Sequence, residues 1–452
     1  MAPSPKRWLV LATFAFTSAF NAFFYMNFAS ISKISKKKLG CPAAALEDDD
    51  TPTTCTGISD VELNFATYSI GLLCVLPIAP LMAKYLNSHN YAASLVGVCL
   101  NVMGAWVRYA AMDGGNLALT TLSTALIGGA SAMVICTYSL LAERWFPPEE
   151  RTFATTCGVQ SNYFGWLLGA VITPRVVSHV DDLDDFFLWQ AIAATLALPL
   201  FLAFHRARPP PDDQSAEYGG GNDQAAALPD DEHDAAMPAK EIAARLFGDR
   251  QVWLQVFVFS LMGGISFAIP AISDEVYDHP GALSGDQTSW LNFSFILCGV
   301  AGGLTLGKLI KHESQFFPVL RKLFWGSSAA TLLLVVVFYA RDSMSNGLFF
   351  ALNLALMAVA GFTELGFIGL GLQVICRHAH PIAHTYSSGL VEWWIQVFGA
   401  VLPLAIGSME GGDGIILCCV MSVLATVAFQ LLGREPDGTS HTAALLSAHE
   451  TY

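Results

Sequence analysis

The chain has 452 residues, of which 54% are hydrophobic and only 13% charged. Ordinary soluble domains carry about 25% charged residues, so this composition excludes a large soluble core and points to lipid as the solvent. The formal net charge of −14 argues against nucleic-acid binding, which needs basic patches.

Twelve apolar stretches, most about 20 residues long, fall six and six around one polar gap; a hydrocarbon core of about 30 Å takes about 20 helical residues to cross. Helices can make that crossing because their backbone hydrogen bonds are internal. The first span, Trp8–Ser32, is longer than the apolar core of a cleaved signal peptide and is expected to persist. The loop after it holds Cys41 and Cys55, and an extracellular placement of that loop would allow a disulfide between them. The other cysteines lie in or at the ends of spans and read as small apolar packers. The second to sixth spans are Val61–Tyr85, Tyr91–Met112, Leu117–Leu141, Phe153–Val177 and Phe186–His205. Residues 206–250 are rich in Pro and Asp, cannot bury enough apolar surface to fold, and are predicted to be a disordered linker. The seventh to twelfth spans are Gln251–Val276, Thr288–Leu309, Phe317–Ala340, Gly347–Arg377, Thr385–Met409 and Gly414–Gly433. The tenth is long for a straight crossing, and Gly361, Gly366, Gly369 and Gly371 predict a bend or an irregular stretch.

The expected fold is therefore an all-α membrane protein. Its parts are an amino-terminal bundle (1–205), a linker (206–250), a carboxy-terminal bundle (251–433) and a tail (434–452). Placing both termini and the linker in the cytoplasm leaves only Lys33, Lys36, Lys37, Lys38, Arg108, Arg175 and Arg341 of the 23 Lys and Arg on the other side. The lysine cluster after the first span conflicts with that rule, and its loop also carries Glu47 to Asp50. Internal repetition is faint: Leu63-Asn64-Phe65 opens the second span and Leu291-Asn292-Phe293 the eighth. Two six-helix halves joined by a linker describe the major facilitator architecture, in which substrate binds between the halves near the membrane midplane.

Several stretches carry a closer resemblance. They are Asn21-Ala22-Phe23, Leu100-Asn101 through Gly104-Ala105-Trp106 to Arg108, and Arg144-Trp145-Phe146-Pro147 with Glu150-Arg151. Asn162 to Pro174, Ser387-Ser388-Gly389-Leu390 and Gln396 to Gly399 complete the set. This pattern resembles the feline leukaemia virus subgroup C receptor family, which includes choline and ethanolamine carriers also linked to haem export. The resemblance implies a cation site among aromatic side chains of the first and seventh spans and amides of the fifth and eleventh. Carried over, the aromatic of the first span falls on Tyr25, the amide of the fifth on Tyr163, the aromatic of the seventh on Phe267, and the amide of the eleventh is kept as Gln396. Three of the four positions are changed, yet the site stays aromatic, and aromatic faces attract quaternary ammonium groups. The bland alternative is that Tyr25, Tyr163 and Phe267 only pack.

Carboxylates inside a membrane are costly, so Glu364 in the tenth span and Glu392 in the eleventh stand out as proton or counter-charge sites. Glu392 lies one turn before Gln396 and can share its face; the family pattern has Asn there. Each acid could instead pair with an Arg or the backbone in a purely structural role. Arg108, near the outer end of the third span, either snorkels to the interface or pairs with Asp274 or Glu275 to close an outer gate. Glu143, Arg144, Glu150 and Arg151 flank the loop after the fourth span, where a cytoplasmic salt-bridge latch is expected. His378, His380 and His384 read as a solvated loop, and Asn292 as a glycosylation sequon buried in a helix. No nucleotide loop, zinc-spaced cysteines or nucleophilic triad is apparent, so neither an enzyme nor a cofactor or metal is expected.

The sequence thus predicts a monomeric, multi-pass carrier in the plasma membrane, or else an internal one, with a small-molecule solute and the lipid bilayer as its partners. The expected substrate is a choline- or ethanolamine-type cation. Tyr25, Tyr163 and Phe267 form the wall, Asn162 and Gln396 donate hydrogen bonds, and Glu392 supplies charge. Haem export, proton-coupled symport of a neutral solute and a non-transporting receptor are the alternatives.

Overall fold

The computed structural model describes residues 6–40, 57–76, 85, 89–206, 239–277, 283–380, 382–406, 409 and 412–432. Cys41 and Cys55 lie outside them, as do the side chains of Asp274 and Glu275. Among the described residues the ordered elements are helical. In the first half they are α1 (Lys6–Ser30), α2 (Ser32–Gly40), α3 (Asp60–Asn64, continuing through a π-helical turn at Phe65–Ser69), α4 (Asn90–Met112), α5 (Leu117–Ile135), α6 (Tyr138–Trp145), α7 (Pro148–Val176) and α8 (Asp182–Phe204). In the second half they are α9 (Ala239–Gly248), α10 (Arg250–Tyr277), α11 (Gly285–Leu309), α12 (Phe316–Tyr339), α13 (Asn346–Glu364), α14 (Ile368–His378), α15 (His384–Ile406) and α16 (Asp413–Leu431).

Ten helices among the described residues are long and apolar enough to cross a membrane. The second and fifth expected spans are not among them. Of the second, Val61–Leu76 is described and is apolar but short. The fifth, α7, is long enough but carries Thr152, Thr155, Thr156, Gln160 and Thr173, all buried. Its polarity is turned inward: Thr155, Thr156 and Gln160 meet the other half, and Thr173 bonds Asn27 of α1.

Local chemistry sets the helix starts. α3 and α11 each begin with a capping box, Ser59 with Glu62 and Ser284 with Gln287, in which side chain and backbone satisfy each other reciprocally. α7 starts at Pro148, where a missing N–H costs nothing, with Glu149 and Glu150 in its first turn. One stretch of the expected disordered linker is ordered: α9 turns Ile242 and Leu246 inward against the bundle, and Phe247 lies 5.0 Å from the Trp253 ring. The lysine cluster also finds a structural role. It forms α2, and buried Lys38 pairs with Asp184 at the start of α8 (3.1 Å).

Two spans are broken at matching places in the two halves. The tenth span stops at Glu364 and resumes at Ile368, as its glycines predicted. The fourth stops at Ile135 and resumes at Tyr138 without any Gly or Pro at the break; there Thr137 returns its hydroxyl to the Met133 and Val134 carbonyls. Both are the fourth span of their half. Close backbone approach fixes the packing: a Cβ on Gly165 would fall 1.9 Å from the Ala19 carbonyl, and one on Gly361 1.9 Å from the Phe295 carbonyl.

Candidate functional site

The halves meet along α7, α11, α14 and α15, and the ties between them concentrate toward the end of the bundle where α8 leaves and α10 enters, here the linker end. His384 Nδ1 lies 3.1 Å from Glu143. Gln373 donates 2.7 Å to the Thr155 hydroxyl. Thr156 fills the space left by Gly307 and Gly369, where added Cβ atoms would come within 2.7 and 2.5 Å of its hydroxyl. Further in, Gln160 donates to the Leu365 carbonyl (3.0 Å) and the Trp393 indole to the Leu76 carbonyl (2.8 Å). These contacts seal the linker end.

Above that seal an aromatic array crosses the interface. Tyr25 on α1 meets Tyr68 edge-on at 6.3 Å, and Tyr68 meets Trp166 at 6.2 Å. Trp166 packs against Phe267 of the opposite half at 4.6 Å, and Tyr163 closes the group at 6.0 Å from Phe267. The three expected wall residues are therefore joined, but through Tyr68 and Trp166, which the sequence did not single out. Tyr68 sits in the π-helical turn of α3, a local irregularity common at functional sites. Tyr25 can come this close to the chain just beyond that turn only because residue 71 is glycine, whose added Cβ would sit 2.7 Å from the ring.

Glu392 is 4% exposed on α15 and carries no ion pair among the described residues. It lies within electrostatic reach of Tyr138, Tyr163 and Cys136 of the other half. One turn on, Gln396 is buried with its carbonyl oxygen unpartnered, as is the Tyr68 hydroxyl. Asn162 is half-buried and directed to Ser18 at 3.5 Å, a hydroxyl that also approaches Tyr138 at 3.5 Å. Trp393 and Trp394 diverge as neighbours on a helix must. The first ties to the Leu76 carbonyl of the second span, and the second packs on Trp253 and Phe398. Glu364 lies apart, fully buried within the carboxy-terminal half, where it accepts a hydrogen bond from Ser327.

Several expectations need correction. Arg108 does not snorkel to the interface, and the side chains of its expected gate partners, Asp274 and Glu275, lie outside the described residues. The arginine is 1% exposed and donates to the Phe24 carbonyl (2.7 Å), Ser123 (3.1 Å) and Thr124 (3.3 Å), with its guanidinium 4.9 Å from the Phe28 ring. A charge so close to the end of α4 can be buried because hydroxyls of α5 and the α1 backbone satisfy it. The latch after the fourth span is only partly as expected. Glu143 reaches the other half, whereas Glu150 pairs with Arg7 on α1 (3.0 Å) and Arg151 donates to the Phe146 carbonyl. Of the three histidines only His380 is exposed as expected: His384 is in the latch, and His378 contacts the Gln255 amide. Asn292 is held inside α11 by Ser273 and the Pro270 carbonyl.

Comparison with known proteins agrees with this fold. The sequence pattern of the Major Facilitator Superfamily matches residues 9–403. The chain is similar to the human choline/ethanolamine transporter FLVCR2, at 22% identity over 94% of this chain and 77% of that one. It is similar also to the zebrafish solute carrier family 49 member A3, at 22% identity over 89% and 78%. Among solved structures it resembles the E. coli fucose:proton symporter FucP, with a TM-score of 0.60 and 13% identity over 95% and 99% of the two chains.

Proposed function

This chain belongs to the Major Facilitator Superfamily, and we propose that it carries a small organic cation of choline or ethanolamine type across a membrane by alternating access. One observation carries the reading: the aromatic array Tyr25–Tyr68–Trp166–Phe267–Tyr163 crosses the interface of the halves beside Glu392, a buried acid with no ion-pair partner among the described residues. A quaternary or primary ammonium group answers both features, since ring faces attract it and its charge offsets the carboxylate. Gln396, with its carbonyl oxygen unpartnered, and Asn162 supply hydrogen bonds to a hydroxyl or amine on the solute. The resemblance to choline/ethanolamine transporters supports the same class. An amphipathic anion such as haem fits less well, because Arg108 is enclosed among α1, α4 and α5.

In this reading the protein acts as a monomer and not as an enzyme. The termini and linker face the cytoplasm, the plasma membrane is its site, and the sealed linker end is the cytoplasmic gate. Glu143 with His384 forms the latch of that gate. The test is uptake of labelled choline into liposomes carrying the full chain. Saturable uptake supports the reading; no flux of choline or ethanolamine overturns the substrate class and favours a different solute or a non-transporting role.

A further inference from the structure

Away from the aromatic array, a line of polar side chains runs through the carboxy-terminal half. Ser327 on α12 donates to Glu364 Oε1 at 2.8 Å, and its hydroxyl lies 3.0 Å from that of Ser422 on α16. Ser422 continues to Ser328 at 3.3 Å, Ser328 to Thr426 at 2.8 Å, and Thr426 donates to the Phe324 carbonyl at 2.9 Å. Glu364 itself is fully buried, and its second oxygen has no hydrogen-bond partner. Among the described residues no Lys, Arg or His pairs with it. A purely structural carboxylate would be held by a cation or by several donors, because desolvating it otherwise is costly. A carboxyl group that binds a proton needs neither.

A cavity of about 30 Å³, room for about one water, adjoins this line. Tyr277 and Ile415 line it near the far ends of α10 and α16, and Thr331, Met357 and Cys418 line it deeper in. Thr331 donates to the Ser327 carbonyl, and Cys418 is within electrostatic reach of Glu364. Cys418 is the titratable group facing the acid. The other facing groups are the hydroxyls of α12 and α16 and the Met262 sulfur of α10, 3.3 Å from the Ser327 hydroxyl. α11 packs on this part of α13 through the Phe295 backbone at Gly361 and through Gly299 at Leu365. Water access, rather than a neighbouring charge, therefore governs whether this acid holds its proton. The hydroxyls bond to one another and present a single donor to the acid, not the cage of oxygens that a metal ion takes.

We infer that Glu364 is a proton-coupling site: it takes a proton from the far side through this cavity while the linker end is sealed, and carries it across with the solute. The step is proton binding and release only, and no other bond forms or breaks. The inference rests on the alternating-access reading but not on choline as the solute.

The test has two arms on the full chain in liposomes. Infrared spectra should show a protonated-carboxyl C=O band that is absent in Glu364→Gln, shifted in Ser327→Ala, and retained in part in Glu392→Gln. Identical spectra for the unaltered protein and Glu364→Gln would overturn the inference. In the second arm, labelled-choline uptake should rise several-fold with an acidic exterior. Glu364→Gln should lose that response while keeping choline exchange in the absence of a gradient. An equal gradient response in both proteins would also overturn it. Absence of choline flux in every variant counts against the cation reading alone and leaves the infrared arm to decide the proton site.

Discussion

Gln160 on α7 donates at 3.0 Å to the carbonyl of Leu365, which at the break between α13 and α14 accepts only a long 3.4 Å backbone bond from Ile368, so a fault in one half is capped by a side chain of the other. Separating the halves at the linker end would break this bond. Gln160→Ala should therefore favour the state open at that end. A hydrogen bond is worth about 1 kcal/mol, so the population should shift roughly fivefold. Thiol labelling of a cysteine placed at Asn162, in the site above the seal, should speed up accordingly, and an unchanged rate would show that the bond does not hold the gate.

The aromatic array makes a graded prediction. Replacing Tyr68 or Trp166 by Ala should raise the KM for an ammonium solute by about 2- to 30-fold, from a cation–π contribution of about 0.5–2 kcal/mol. Tyr68→Phe keeps the ring and should retain most of the affinity. Equal losses in Tyr68→Phe and Tyr68→Ala would transfer the role from the ring face to the hydroxyl.

Glu392→Gln should abolish cation uptake or weaken it severely, while surface labelling shows the protein still reaching the membrane. Unchanged uptake would remove Glu392 from the site.

Arg108 is predicted to act on stability and not on gating. Arg108→Ala leaves the Phe24 carbonyl and two hydroxyls without their donor and opens a hole between three helices, at a cost of about 3 kcal/mol. Thermal unfolding in detergent should fall sharply, whereas labelling of the two faces in surviving protein should match the parent.

His205, the first residue beyond the span Asp182–Phe204, gives a pH prediction. Burial among Phe14, Tyr91 and Phe201, and then the charge of Arg206, push its pKa down to about 4. The unfolded chain protonates near pH 6.5 and the folded one only near 4. Stability is therefore unaffected above pH 6.5, falls as pH drops from 6.5 to 4, and levels off below. The loss reaches about 3 kcal/mol, and His205→Phe should flatten the melting temperature across that window.

Hydropathy made most of the fold legible, because long apolar runs admit few other structures in lipid. The tenth span announced its break through glycines, but the fourth breaks at Cys136–Thr137, residues that fit a continuous helix equally well. Tyr68 and Trp166 were invisible for a similar reason: an aromatic on an apolar helix looks the same facing lipid, core or substrate. Arg108 and His384 were misjudged because their settings depend on partners far along the chain, Phe24 and Glu143, which no local pattern announces.

The paired breaks also bear on how the molecule moves. α14 lies against α7 of the opposite bundle, and α6 lies beside α15. Each bundle thus lends a short limb to its neighbour at the sealed end. Opening that end need not rock two rigid blocks, since two swinging limbs, hinged at residues 136–137 and 365–367, would suffice. Glu364 stands on the fixed side of one hinge, so its surroundings could stay nearly constant through a cycle that changes only which face of the membrane water reaches it from.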